Sequence, residues 1–268
     1  MAVKLTIVDD PGDERFAQFR LNERGLASRT QKRDDAGAGL FLAEGDLVVE
    51  RALDAGCRPT AALIDAERIP PVATRLAAEG APLYGGADEV RRIVWGLGIP
   101  QNVLALFERP ARPSVAELAA RCRRLVVLEG VDNPVNVGSA VRNAAGLSWD
   151  GLVLDHTSAD PLARRALRVA MGTAFTLPHA RTTDLPAALA ELAATGVELY
   201  AMTPSADARD LGNVHPGNRL AVLIGSERAG LTADLLALAQ PVQIPMSGGV
   251  DSLNAAAATA IACWALRP

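Results

Sequence analysis

Leu220-Ala-Val-Leu-Ile224 runs without a polar residue into Gly225-Ser-Glu227-Arg-Ala-Gly230-Leu231. An apolar run of strand length that ends in a glycine-bounded polar turn is the pattern of a strand buried on both faces and emptying into a tight loop. Four more apolar runs, at residues 125–128, 151–154, 197–202 and 242–244, surround it, separated by stretches of helical length. That alternation predicts an α/β domain with a parallel sheet covered on both faces. Ligands of such sheets bind outside the carboxyl ends of the strands. Loops starting near Glu129, Thr203, Gly225 and Pro245 are therefore expected to build a site. The spacing of Gly225 and Gly230 nearly matches a phosphate-binding P-loop, but Leu231 stands where that loop needs its lysine, which removes a P-loop NTPase. Glu227, at the end of a buried strand, is costly unless it is used or paired.

Upstream, Glu108-Arg-Pro-Ala-Arg-Pro-Ser-Val115 sets two prolines among charges. This disfavours helix and strand alike and reads as a linker between residues 1–110 and 111–268. In the first part, apolar runs at 61–64 and 103–107 alternate with helical patterns such as 44–55, suggesting a small α/β domain with no catalytic motif. A chain of 268 residues with 49% apolar content can bury two such cores. No window approaches a membrane span, and residues 1–10 lack the segments of a signal peptide, so a cytoplasmic location is expected. Cys57, Cys122 and Cys263 are far apart and read as reduced, mostly buried thiols. The net charge of −4 argues against a chain coated in nucleic acid. Local patches stay open, because basic residues cluster at Arg20, Arg24, Arg29, Lys32 and Arg33, at Arg121, Arg123 and Arg124, and at Arg164, Arg165 and Arg168.

Two further constellations lie in the second part. Asn133-Pro-Val-Asn136-Val-Gly138-Ser-Ala-Val-Arg142-Asn-Ala-Ala-Gly146 follows the strand that ends at Leu128. Asn136 or Ser139 can cap a helix that brings Arg142 near the strand end, where its guanidinium fork suits a phosphate. A capped helix with a surface arginine is an equally good plain reading. Ile244-Pro-Met246-Ser-Gly-Gly-Val-Asp-Ser252-Leu253-Asn254 then leads into an alanine-rich helix. Within it, the segment from Ser247 to Ser252 resembles the pyrophosphate-binding loop of PP-loop ATP pyrophosphatases. In those enzymes most of the nucleotide-binding sheet follows the loop, whereas here sixteen residues, enough for one helix, follow Ser252.

Taken together and in this order, the three segments resemble the three motifs of the SpoU (TrmH-like) family of RNA ribose methyltransferases, in the SPOUT superfamily. The likeness spans roughly 140 residues, and its specificity lies in the combination of motifs. Asp160-Pro-Leu-Ala-Arg-Arg-Ala-Leu-Arg168-Val-Ala-Met-Gly172 also looks like the family. Leu40-Phe-Leu-Ala-Glu44-Gly45 and Ile99-Pro-Gln-Asn-Val-Leu104 resemble the ribosomal-protein-L30e-like domain that often precedes the catalytic one; residues 19–39 follow it only loosely. The resemblance implies a knotted catalytic domain at 111–268, a parallel α/β sheet with a C-terminal trefoil knot. It also implies a smaller L30e-like α/β RNA-binding domain at 1–110 and a homodimer formed through the C-terminal domain. S-adenosylmethionine would be held by Thr203, Gly225, Ile244, Met246 and Leu253. Asn136, Arg142, Glu227, Ser252 and Asn254 would line the reaction site, with no metal. Structured RNA would be the partner, ribosomal RNA ahead of tRNA.

Methyl transfer to a ribose hydroxyl needs an acceptor held in line and a route for its proton. His156, His179 and His215 fall outside all three motifs. A guanidinium stays protonated up to a pKa of about 12 or more, so Arg142 is expected to act electrostatically on a phosphate beside the ribose. Ser252, Asn254 or a water would then take or relay the proton. Two other classes are carried alongside: a PP-loop-like ATP-dependent RNA-modifying enzyme, and a non-catalytic RNA-binding module. Conventional dinucleotide folds and serine hydrolases lack their Gly-x-Gly-x-x-Gly and Gly-x-Ser-x-Gly signatures here.

Overall fold

The computed structural model describes residues 3–33, 36–96, 100–205 and 207–268. Ile99, in the stretch from Ile99 to Leu104, Asp34 and Asp35, within 19–39, and the first two residues of 1–10 lie outside the described residues. Contacts divide the chain into two compact units, Met1–Ala111 with Leu162–Phe175, and Arg112–Pro161 with Thr176–Pro268. The segment Leu162–Phe175, inside 111–268, thus belongs by its packing to the first unit.

In the first unit, β1 (Thr6–Ile7), β2 (Leu40–Glu44), β3 (Pro59–Asp65), β4 (Leu83–Gly86) and β5 (Val103–Glu108) form one sheet in the order β1-β4-β3-β5-β2. β5 runs antiparallel to β2 and β3, and the other pairs are parallel. Its helices are α1 (Glu23–Leu26), α2 (Arg29–Arg33), α3 (Asp46–Asp54), α4 (Val72–Ala78), α5 (Asp88–Trp95) and, from the later segment, α8 (Arg164–Ala170). The helix expected from Glu44 begins at Asp46, because Glu44 closes β2 and Gly45 turns the chain at φ 85. Phe16, Phe19, Leu63, Trp95, Leu104 and Leu106 fill one core cluster. Elsewhere in this unit Phe41 stacks on Phe107 at 5.3 Å and meets Phe175 at 5.5 Å, so the later segment contributes an aromatic ring to the core.

In the second unit, β6 (Arg124–Leu128), β7 (Gly151–Asp155), β8 (His179–Thr182), β9 (Glu198–Met202), β10 (Arg209–Asp210), β11 (Leu220–Ile224) and β12 (Gln240–Gln243) are ordered β10-β12-β9-β11-β6-β7-β8. Every pairing is parallel. All residues of β6, β7 and β11 are buried, as the unbroken apolar runs require of strands covered on both faces. The helices are α6 (Val115–Arg121), α7 (Pro134–Gly146), α9 (Leu185–Ala194), α10 (Ala233–Leu238) and α11 (Ala255–Ala265). α9 packs against both α6 and α10, and α7 packs against α11. The small residues of α11 permit that close approach. Arg124 of the midchain basic cluster is buried and donates to the Leu266 and Asn218 carbonyls, which makes it structural.

The cap of α7 differs from the expectation. Asn133, not Asn136 or Ser139, accepts the amide of Val135, and Pro134 opens the helix. Proline suits that first position, where its fixed φ fits and its missing N–H costs nothing. Asn136 is thereby released from capping and enters the first turn with its amide free for other partners.

Candidate active site

A cavity of about 480 Å³ lies at the carboxyl ends of β9, β11 and β12, within the ~300–1,000 Å³ typical of small-molecule sites. Its wall comes mainly from three strand ends and the loops that follow them: Met202, Thr203 and Pro204 at the end of β9, the run from Ile224 to Leu231 at the end of β11, and Ile244, Met246, Asp251, Ser252 and Leu253 after β12. Every residue expected to hold the cofactor lines this space, and so do Glu227 and Ser252.

The loop after β11 is shaped by its glycines. Gly230 sits at φ 66 and returns its amide to the Ser226 carbonyl at 3.0 Å, while the Ser226 hydroxyl accepts the Ala229 amide at 3.1 Å. A Cβ on Gly225 would overlap the Gly230 carbonyl group and the Leu231 amide, so only glycine permits this closure. The backbone edge left bare at Gly225, with apolar Ile244 and Leu253 in the same wall, is a cradle that fits the flat, polar-edged adenine of a ligand such as S-adenosylmethionine.

A directed chain of hydrogen bonds joins the three motifs. Asn254 caps α11, its Oδ1 accepting the amides of Ala256 and Ala257 at 2.9 and 3.3 Å. Its Nδ2 donates to Asn136 Oδ1 at 3.1 Å, and Asn136 Nδ2 donates to Glu227 Oε1. Asn136 is buried, whereas Glu227 and Asn254 are exposed. Arg142 is exposed on α7, about 9 Å further along the axis from Asn136, and is not among the residues lining the cavity.

A second set of contacts, not foreseen from sequence, fixes the loop between β6 and α7. The Glu129 amide donates to Ile224 O at 3.0 Å, the Gly130 amide to Asp155 Oδ1 at 3.0 Å and the Val131 amide to Ser158 Oγ at 3.0 Å. Asp155, buried at the end of β7, also accepts from the Ser158 amide and hydroxyl and from Thr157. Burial alone would raise its pKa, but the hydrogen bonds from Ser158, Thr157 and Gly130 outweigh that and hold it below the usual aspartate value. Glu129 accepts the Thr232 amide and hydroxyl, both at 2.8 Å, tying this loop to the start of α10. The available signal was a carboxylate ending a buried strand with two hydroxyl residues just after it.

None of the three histidines lines the cavity. Burial pushes Cys57 up to about 11 and Cys263 to about 12, so both are protonated, unreactive thiols. Among the described residues, no group of three or more His, Cys, Asp or Glu could hold a metal ion, and no helix is long and apolar enough to cross a membrane.

Residues 123–264 match the SpoU rRNA Methylase family. An uncharacterized tRNA/rRNA methyltransferase of Mycobacterium bovis is 42% identical over 262 residues, covering 96% of this chain and 90% of its own length. A 23S rRNA guanosine 2′-O-methyltransferase of Bacillus subtilis is 29% identical over 238 residues, covering 88% of this chain and 92% of its own length. The crystal structure of an AdoMet-bound rRNA methyltransferase from Sinorhizobium meliloti superposes with a TM-score of 0.83 at 25% identity, covering 97% of both chains.

Proposed function

The chain belongs to the SpoU rRNA methylase family, and from that membership we propose that it transfers the methyl group of S-adenosylmethionine to a ribose 2′-hydroxyl of a ribosomal RNA. The observation that carries this reading is the cavity itself: loops from separate motifs converge on it, and the chain from Asn254 through Asn136 ends on Glu227 in its wall. When bound, S-adenosylmethionine supplies an electrophilic methyl on a sulfonium centre.

The residues of the chain do the rest. Gly225 offers a bare backbone edge, and Thr203, Ile244, Met246 and Leu253 complete the wall against which the cofactor would lie. Arg142, exposed on α7, binds the phosphate next to the target ribose, and its fork fixes orientation as well as charge. Positioning of this kind supplies a large share of the rate of a displacement reaction. The first unit, with the basic residues of α2, recognises structured RNA as an L30e-like domain would, through shape and phosphates. Ribosomal RNA is favoured over tRNA by the substrate of the Bacillus relative. The chain works in the cytoplasm as a homodimer joined through its second unit, where Ile261 and Trp264 of α11 are exposed.

Calorimetric titration with S-adenosylmethionine, beside ATP with Mg²⁺, tests the cofactor. Binding of the first and not the second is expected, and the reverse would overturn the reading in favour of a PP-loop-like enzyme. Tritiated methyl transfer to ribosomal RNA from a strain lacking this gene, followed by nucleoside analysis, tests the acceptor. Label on a base rather than a 2′-O-methylated ribose would refute that part.

A further inference from the structure

Resting on that reading, we propose that Glu227 is the base that takes the proton from the ribose 2′-hydroxyl. Hydrogen-bond direction leads to this residue. Backbone amides occupy Asn254 Oδ1, so the end that faces α7 is its NH₂, which must find an acceptor. Asn136 Oδ1 is that acceptor, and the orientation this imposes aims the Asn136 NH₂ at Glu227 Oε1. Each link fixes the next, and the chain ends on a group that accepts as a carboxylate. Among the described residues nothing bonds Oε2, and Glu227 lines the cavity.

The chemistry of the other groups removes them. Amides and hydroxyls are not bases near neutral pH, and a guanidinium is already protonated, which excludes Asn136, Asn254, Ser252 and Arg142. Asn254 is in addition spent at both ends. Asp251 is the other carboxylate in the cavity wall, but among the described residues no hydrogen bond orients it, whereas Glu227 is aimed. The charged groups that share the cavity wall with Glu227 are Arg228 in its own loop and Asp251 in the loop after β12.

In the step, Glu227 Oε2 takes the hydroxyl proton while a lone pair of the ribose oxygen forms the bond to the methyl carbon. The carbon–sulfur bond breaks and its electron pair stays on sulfur. A sulfonium and a carboxylate become a thioether and a carboxylic acid, so a pair of opposite charges disappears in the step. The acid later returns its proton to water. Asn136 is a positioning residue in this scheme: it occupies one oxygen and presents the other.

Glu227→Gln keeps the size and the acceptor that faces Asn136 but removes the base. On the RNA that the wild-type protein methylates, kcat is expected to fall ~100- to 1,000-fold, the range of a lost general base. Affinities for S-adenosylmethionine, by calorimetry, and for RNA, by filter binding, should stay within about threefold, equivalent to under ~0.7 kcal/mol. The wild-type single-turnover rate should fall on acidification as the carboxylate takes a proton; the Gln variant should lack that limb, and Asp251→Asn should retain it. The assignment is overturned if the Gln variant keeps more than about a tenth of the wild-type kcat, less than ~1.4 kcal/mol in barrier. Cofactor affinity falling in step with the rate, or an acid limb that persists, would overturn it equally. Failure of the methyltransferase reading would look different, since the wild-type protein itself would transfer nothing.

Discussion

Glu44 and Glu227 are carboxylates at the carboxyl ends of strands in different units, and their surroundings set them to different tasks. The Glu44 side chain is 2% exposed and both its oxygens are spoken for: Trp95 Nε1 and Arg164 Nε each donate at 2.9 Å, with Arg168 at 3.4 Å. Arg164 is itself buried, lies 5.3 Å from the Trp95 ring centroid and donates to the Trp95 carbonyl at 2.7 Å. Glu227 is exposed and oriented by a neutral amide through one oxygen. A carboxylate neutralised by a buried arginine serves the fold, and one that is aimed but left unneutralised is available to a substrate.

The sharpest way to break this comparison is to remove the charge at each site and read both stability and activity. Glu44→Gln should lose about 3–5 kcal/mol of stability by denaturant unfolding, because Arg164 stays behind as a buried, uncompensated charge. Glu227→Gln should change stability by less than about 0.5 kcal/mol while losing its rate. A stable Glu44 variant or an unstable Glu227 variant would reverse the assignment.

A somewhat smaller effect is expected from Gly225→Ala, since the new methyl must displace the Gly230 carbonyl from the cavity wall. S-adenosylmethionine affinity should drop about 100-fold, or ~2.7 kcal/mol, in calorimetry, with the sheet intact by circular dichroism. Affinity within a few-fold of wild type would show that this backbone edge is not part of the cofactor site.

Asp155 offers a third carboxylate, placed under the site rather than in it. Its folded-state pKa is depressed, so its contribution to stability is present above the unfolded aspartate value of ~3.9 and is lost as pH falls through the lower folded value. Asp155→Asn should therefore be less stable than wild type at neutral pH, the two converging as the pH is lowered into that acid window. Parallel stability curves would remove Asp155 from the support of the Gly130 turn. The smallest effect belongs to Asn254→Ala, where the lost cap costs about 1 kcal/mol. If Asn136 is truly aimed by Asn254, kcat should fall about tenfold as well, ~1.4 kcal/mol in barrier, with cofactor affinity little changed.

The strands that carry the site were legible because they are buried on both faces, which forces unbroken apolar runs such as Leu125 to Leu128 and Leu220 to Ile224. Edge strands were not. β8, His179-Ala-Arg-Thr182, buries only the small Ala180 in the core as its apolar residue, and β10 is two charged residues, so neither leaves a periodic apolar trace. Loop residues at strand ends stood out, since glycine and unpaired polar groups there demand an explanation. What sequence concealed was partnership. Nothing in Asp155-His-Thr-Ser158 says that the amides it must satisfy lie near Gly130, and nothing in Leu162–Phe175 says that its phenylalanine packs on Phe41. Such pairings are set by tertiary contact and have no local period.

The two side-chain bonds that aim Glu227 join residues 118 and 91 positions apart in the chain. No local fragment contains them, and contacts of such separation are slow to form because a long loop must be closed first. Catalytic competence thus has its own clock. During refolding, helix content and the buried strands should return early, and the ability to bind cofactor and turn over should return later, when α11 docks on α7. For a time the chain is built but not yet able to act.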